Sequence, residues 1–233
     1  MSSTLTTTEI EYPSSDGQPM AETPIHVEAI MLLHQALRDF FRDRPDVFVA
    51  SDIFWFWEKG NNDARISPDV MVVPGVQPRD LRERRNFKSW EDGGAIPAAV
   101  FEIASRGTWE DDLEEKFDRY EKLGVREYFL FDPEGSYLVP VLQGFRLRGS
   151  SYRRIPTNAL KSELGFRLRG EGAMLRLIDG RTNEPIPTRT EAVDAAQVAA
   201  DAARAAAREA DARADALTAE VARLKALLAG TGP

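Results

Sequence analysis

Two carboxylates and one lysine stand where their neighbours make them chemically conspicuous. Asp69 heads the apolar run Val70–Val73, and Glu102 lies inside a second, Ala98–Ala104. An ionised acid among residues of buried-strand composition is costly unless something charged meets it. Two such acids, carried to one point by neighbouring strands, make a seat for a hard divalent cation, which takes oxygen ligands. A helical stretch then supplies Lys116. The same residues also have plainer readings. Asp69 caps a strand turn, Glu102 and Lys116 form a buried structural bridge, or Lys116 makes an exposed i,i+4 pair with Asp112.

The elements that must position them follow from local pattern. Thr23-Pro24 is an N-cap and first helical position, and Ile30, Leu33, Leu37, Phe40 and Phe41 form one apolar stripe, so a helix is expected over 24–42. His26 lies on that stripe's edge and Glu28 on a neighbouring face; the first reads as structural, the second as a possible third carboxylate. Val47–Ala50 and Ile53–Trp57 have strand composition, with a turn over Lys59–Asp63. Pro68, which lacks an N–H, suits a strand's first residue. Pro74–Pro97 reads as a long loop and a substrate-facing flap, holding Trp90 and the basic cluster Arg79, Arg82, Arg84, Arg85 and Lys88.

In the central strand Glu102 shares a face with Val100 and Ala104, while Phe101 and Ile103 point the other way. A helix over 109–123 carries the stripe Leu113, Phe117 and Tyr120 and puts Lys116 at its edge; Gly124 stops it, and Glu127–Phe131 is the next strand.

Pro68-Asp69, Glu102-Ile103-Ala104-Ser105, Thr108, Asp112, Lys116, Tyr120, Gly124-Val125-Arg126-Glu127-Tyr128 and Asp132-Pro133 form a series that resembles the Uma-type restriction endonucleases, a branch of the PD-(D/E)XK nuclease superfamily. The resemblance spans residues 20 to 190. It implies an α/β fold, a restriction-endonuclease-like mixed sheet flanked by helices, with added β-hairpins. It also implies hydrolysis of DNA phosphodiester bonds with Mg²⁺ or Mn²⁺ held by Asp69, Glu102 and the backbone carbonyl of Ile103, and Lys116 orienting water or stabilising transition-state charge. Ser105, Thr108, Asp112 and Tyr120 support that set. Two departures stand out: Ala104 occupies the superfamily's usual lysine position, which Lys116 fills from the helix, and Arg106-Gly107 replaces a Pro-Ser-like turn.

Beyond the sheet, 137–190 reads as β-hairpins. The hexapeptide GFRLRG occurs at Gly144–Gly149 and Gly165–Gly170, read as two similar strands of one small sheet. Arg146, Arg148, Arg153 and Arg154 form a second basic set, either phosphate-contacting or merely solvated. From 189 to 229 the chain is Ala-rich. Val193, Ala196, Ala200, Ala203, Ala207, Ala210, Ala214, Leu217, Val221, Leu224 and Leu228 alternate by three and four, an unbroken heptad seam that reads as a homodimeric or partner-binding coiled coil, the plainer reading being a solvated Ala-rich helix or one packed on its own domain. The expected organisation is therefore a lead-in (1–22), a nuclease domain (23–188), the coiled-coil helix (189–229) and a tail (230–233).

Composition limits the alternatives. With 233 residues, 42% of them hydrophobic, the chain holds one core plus an extension. It has no cysteine, which excludes disulfides and thiolate metal sites and suits the cytoplasm. No run reaches the ~20 apolar residues of a membrane span, and the N-terminus lacks a signal peptide's basic and apolar regions. A net charge of -8 excludes a surface that attracts nucleic acid everywhere. A nuclease, a non-catalytic nucleic-acid-binding protein and a coiled-coil assembly protein are the three functions left.

Overall fold

Strict alternation of side chains across the strands gives the main sheet two apolar faces, and each must be covered. The structure is a computed structural model that describes residues 12–13 and 23–229; most of the lead-in and the tail lie outside the described residues. The chain divides into two units, one ending at Ile186 and one starting at Pro187.

In the first unit, α1 (Pro24–Phe40) precedes β1 (Val47–Ser51), β2 (Trp55–Phe56), β3 (Arg65–Ile66), β4 (Val70–Pro74) and β5 (Phe87–Lys88). Then come β6 (Ala99–Ile103), α2 (Trp109–Leu113), α3 (Glu115–Leu123) and β7 (Glu127–Phe131). Two hairpins finish the unit: β8 (Leu142–Arg148) with β9 (Ser151–Arg154), and β10 (Phe166–Glu171) with β11 (Met174–Asp179). The main sheet runs β1-β4-β6-β7-β8-β9 and is mixed: β6 and β7 are parallel, and every other neighbouring pair is antiparallel.

Val70, Val72, Phe101, Ile103, Phe129 and Phe131 pack on one face against Ile30, Leu33 and Leu37 of α1 and Phe166, Leu175 and Leu177 of the last hairpin. Met71, Val73, Val100, Ala104, Tyr128 and Leu130 pack on the other, against Tyr120 of α3 and Trp55, Ile66 and Phe87 of the small β3-β2-β5 sheet. Glu102 belongs to this second face.

Three expectations need correction. The 74–97 stretch is not a structureless flap: β5 pairs in parallel with β2, and Trp55 donates its indole N–H to Ser89 Oγ at 2.9 Å. The 109–123 helix is broken at Glu114 (φ -117°, ψ -78°), where the carbonyl of Asp112 accepts from the Tyr128 hydroxyl at 2.8 Å. The two GFRLRG hexapeptides lie in different sheets. Gly144 sits where a Cβ would come within 2.7 Å of Leu160 and 3.0 Å of the Phe129 ring, so β8 lies close against β7, while β10 pairs with β11.

Tyr12 is held against this unit. Its ring lies 5.2 Å from Phe56 and 5.0 Å from Trp90, Lys88 Nζ stands 4.9 Å over it, and its hydroxyl accepts from Gly60 N at 2.7 Å.

The second unit is α4 (Arg189–Ala229), 41 residues long. A capping box starts it: Thr188 Oγ1 accepts from Glu191 N at 3.2 Å, and Glu191 Oε2 from Thr188 N at 2.8 Å.

Candidate active site

The β4–β6 ladder stops at Val70, opposite Phe101, and a side chain takes over from it. Asp69 Oδ2 accepts from the backbone N–H of Ile103 at 2.6 Å, and Asp69 N–H points at Glu102 Oε2 at 3.4 Å. Because β4 and β6 are antiparallel, the start of one meets the end of the other, and both acids arrive at the same edge of the sheet.

Glu102 is fully buried and fully engaged. Its Oε1 accepts from the Tyr120 hydroxyl at 2.6 Å, and its Oε2 lies 2.9 Å from Lys116 Nζ. Lys116 is bracketed on the other side by Asp112 Oδ1 at 2.8 Å. Lys116 and Tyr120 are four apart on α3 and both reach Glu102, while Asp112, before the break at Glu114, meets Lys116 from the end of α2. Asp112 is 1% exposed. This corrects the exposed-pair reading of Asp112 and Lys116, since the acid is buried. Ser105 Oγ and Thr108 Oγ1 are 3.0 Å apart just before α2.

His26 is buried at the start of α1, with Nε2 3.9 Å from Asp69 Oδ2. It thus borders the cluster that the sequence left it outside. Glu28 is exposed and adds no carboxylate.

Three carboxylates face one lysine, and the protonation equilibria reflect that excess. Burial, and then the charge of Glu102, push Asp69 well above the usual carboxylate range. The same two causes raise Asp112 to about 7. Burial works against the charge on Lys116, but Glu102, Asp112 and Asp69 outweigh it and hold the ammonium more firmly than in water. Tyr120 is raised by burial and by Glu102, and stays a neutral donor.

The expected phosphate-contacting side chains are partly committed elsewhere. Arg84 is buried against Asp92 at 2.8 Å and lies 4.6 Å from the Phe48 ring centroid, and Arg79 and Lys88 both reach Glu91. Arg146 pairs with buried Glu127 at 2.7 Å, and Arg148 with Glu163 at 3.1 Å. Arg82, Arg85, Arg153 and Arg154 are exposed.

Comparison with curated proteins finds no match. Among solved structures, a protein described as a "putative nuclease belonging to DUF820" from Anabaena variabilis is 16% identical, covering 64% of this chain and 79% of that one at a TM-score of 0.40. The family model described as "Uma2: Putative restriction endonuclease" matches residues 4–169, well over half of the sequence. The chain belongs to the Uma2 family of restriction-endonuclease-like proteins.

Proposed function

We propose that this protein is a metal-dependent endonuclease that hydrolyses DNA phosphodiester bonds, with Asp69, Glu102 and Lys116 as its catalytic residues. The observation that carries this reading is the convergence of buried Glu102 and partly buried Asp69, from adjacent strands, on one lysine 2.9 Å from Glu102. Family membership supports nuclease chemistry in general.

The residues fit a hard divalent cation. Every donor is oxygen, and the carboxylates outnumber the lysine, so their mutual repulsion would be relieved by added positive charge. Among the described residues no three His, Asp or Glu side chains are arranged to hold a metal ion. Asp69, Glu102 and the Ile103 carbonyl would therefore hold Mg²⁺ or Mn²⁺ together with water. Bound there, the cation supplies Lewis acidity and lowers the pKa of a ligated water.

The chain's own groups do the rest. The Ile103 N–H fixes Asp69, and Tyr120 fixes Glu102 through the oxygen that Lys116 does not touch. Lys116, held charged by its acid neighbours, orients the attacking water and offsets the charge that grows on the phosphoryl oxygens.

The exposed seam of α4 supports self-association, so the working form is read as a homodimer joined through that helix. No helix among the described residues is long and apolar enough to cross a membrane. Together with a cysteine-free sequence, this supports the cytoplasm as the place of action.

The test is nicking of supercoiled plasmid with Mg²⁺ or Mn²⁺, beside calorimetric titration of Mn²⁺. Nicking that Glu102→Gln and Lys116→Ala both remove supports the assignment. Nicking that survives both refutes it. Neither cleavage nor Mn²⁺ binding moves the function to nucleic-acid binding or assembly without catalysis.

A further inference from the structure

The apolar seam of α4 is exposed where its side chains are largest: Leu217 is 67% exposed, Val221 49% and Leu224 48%. In a heptad frame Val193, Ala200, Ala207, Ala214, Val221 and Leu228 take position a, and Ala196, Ala203, Ala210, Leu217 and Leu224 take position d. We infer that α4 zips with the α4 of a second copy of this chain as a parallel, in-register dimer. The inference rests on the self-association read above and adds its direction and register.

Three observations carry it. First, β-branched Val221 at a, between Leu217 and Leu224 at d, is the combination that in a parallel coiled coil favours two strands over three or four. Second, the frame puts Glu220 at g and Lys225 at the next e, so a parallel pair gains the Glu220–Lys225 attraction twice, once on each side of the seam. An antiparallel pair overlapping along the whole helix, whose midpoint is residue 209, sets Leu217 against Ala200 and Val221 against Ala196, so no two leucines meet. Third, an antiparallel pair that stacks only the large residues uses just the end of the helix, from Leu217 to Leu228. It leaves the Ala-rich seam from Val193 to Ala214 in water, whereas the parallel register covers every layer.

The parallel dimer is asymmetric along its length. Alanine layers bury little area, so the first half closes because the Leu217–Leu228 half has already brought the helices together. The first half is thus a conditional stalk and the second half the clasp.

Because the chain has no cysteine, an introduced one reports its own neighbourhood without background. Ala203→Cys in the full-length protein places one thiol at a d position of the weak half. In a parallel in-register pair the two thiols face each other. In a full-length antiparallel pair they are about 17 Å apart along the axis, and in the end-to-end antiparallel pair about 60 Å, at 1.5 Å rise per residue. The expected result is a native mass twice that of the 26.0 kDa chain and nearly complete disulfide-linked dimer on mild oxidation. Leu217→Glu with Leu224→Glu should return a folded monomer with the parent's melting transition for the first unit, and should abolish the Ala203→Cys cross-link. A native dimer without the cross-link overturns the parallel register and leaves self-association standing. A native monomer overturns both. A cross-link that survives the double glutamate substitution places the clasp elsewhere and overturns the assignment to Leu217–Leu228.

Discussion

Replacing Asp112 with asparagine should make the protein more stable at pH 8 while weakening the site. The acid is 1% exposed and titrates at about 7 in the fold, against an ordinary value of 3.8. At about 1.4 kcal/mol per tenfold change in proton affinity, keeping it ionised in the folded state costs roughly 4 kcal/mol, even with Lys116 beside it. Local relaxation reduces this, and a gain of roughly 2–4 kcal/mol is expected for the neutral isostere. The sign follows from proton binding. Between pH 4 and 7 the folded state holds a proton that the unfolded state has released. The stability present below the unfolded value is therefore lost as pH rises through the folded one. Asparagine removes that slope. Melting in metal-free buffer should show Asp112→Asn about 4–16 °C above the parent at pH 8 for a unit of this size, and the gap should close towards pH 5. Nicking should fall, because Lys116 loses one of its two anchors. If the variant instead melts below the parent at pH 8, the Lys116 contact outweighs burial, and the excess-charge argument for the site is wrong.

Other consequences can be checked by the same means. Tyr120→Phe removes a 2.6 Å hydrogen bond to a buried carboxylate and should cost about 1.5–3 kcal/mol in urea unfolding, together with lower plasmid nicking. Arg84→Met leaves Asp92 buried without its cation and should cost about 3–5 kcal/mol, read from the same unfolding midpoint. Gly180→Ala would set a Cβ 2.4 Å from the Gly165 carbonyl oxygen, backbone against side chain with nowhere to yield. A loss of about 3 kcal/mol is expected, seen as a lower melting temperature.

The sheet was legible because its signals are local: an apolar run is a strand whichever strands it joins. Asp69 and Glu102 were legible for the same reason, as acids inside such runs. What depends on partners distant in sequence was not. The burial of Asp112 depends on how its helix packs against strands distant in sequence, such as the one whose Tyr128 hydroxyl donates to the Asp112 carbonyl, so spacing alone made it an exposed partner of Lys116. The spacing of Asp112, Lys116 and Tyr120 by four was the available clue, since a buried tyrosine on the same expected helical row implies a row turned inward. The parallel pairing of β2 with β5 joins residues some thirty positions apart through two-residue strands that carry no pattern of their own. The twin hexapeptides are identical locally, and only the crowding of Gly144 by Leu160 and Phe129 distinguishes their places.

Tyr12 bears on how the protein is handled at the bench. Its ring occupies a slot walled by Phe56, Trp90 and the Lys88 ammonium, and Asn86 reaches the carbonyls of Tyr12 and Pro13 at 3.3 and 3.4 Å. Recombinant versions trimmed to begin at the first helix would remove that plug. They would open an aromatic, positively rimmed slot to solvent, to purification tags and to stray polyanions. The emission of Trp90, whose ring lies tilted at 51° to that of Tyr12, would report whether the plug is seated once the other tryptophans are replaced.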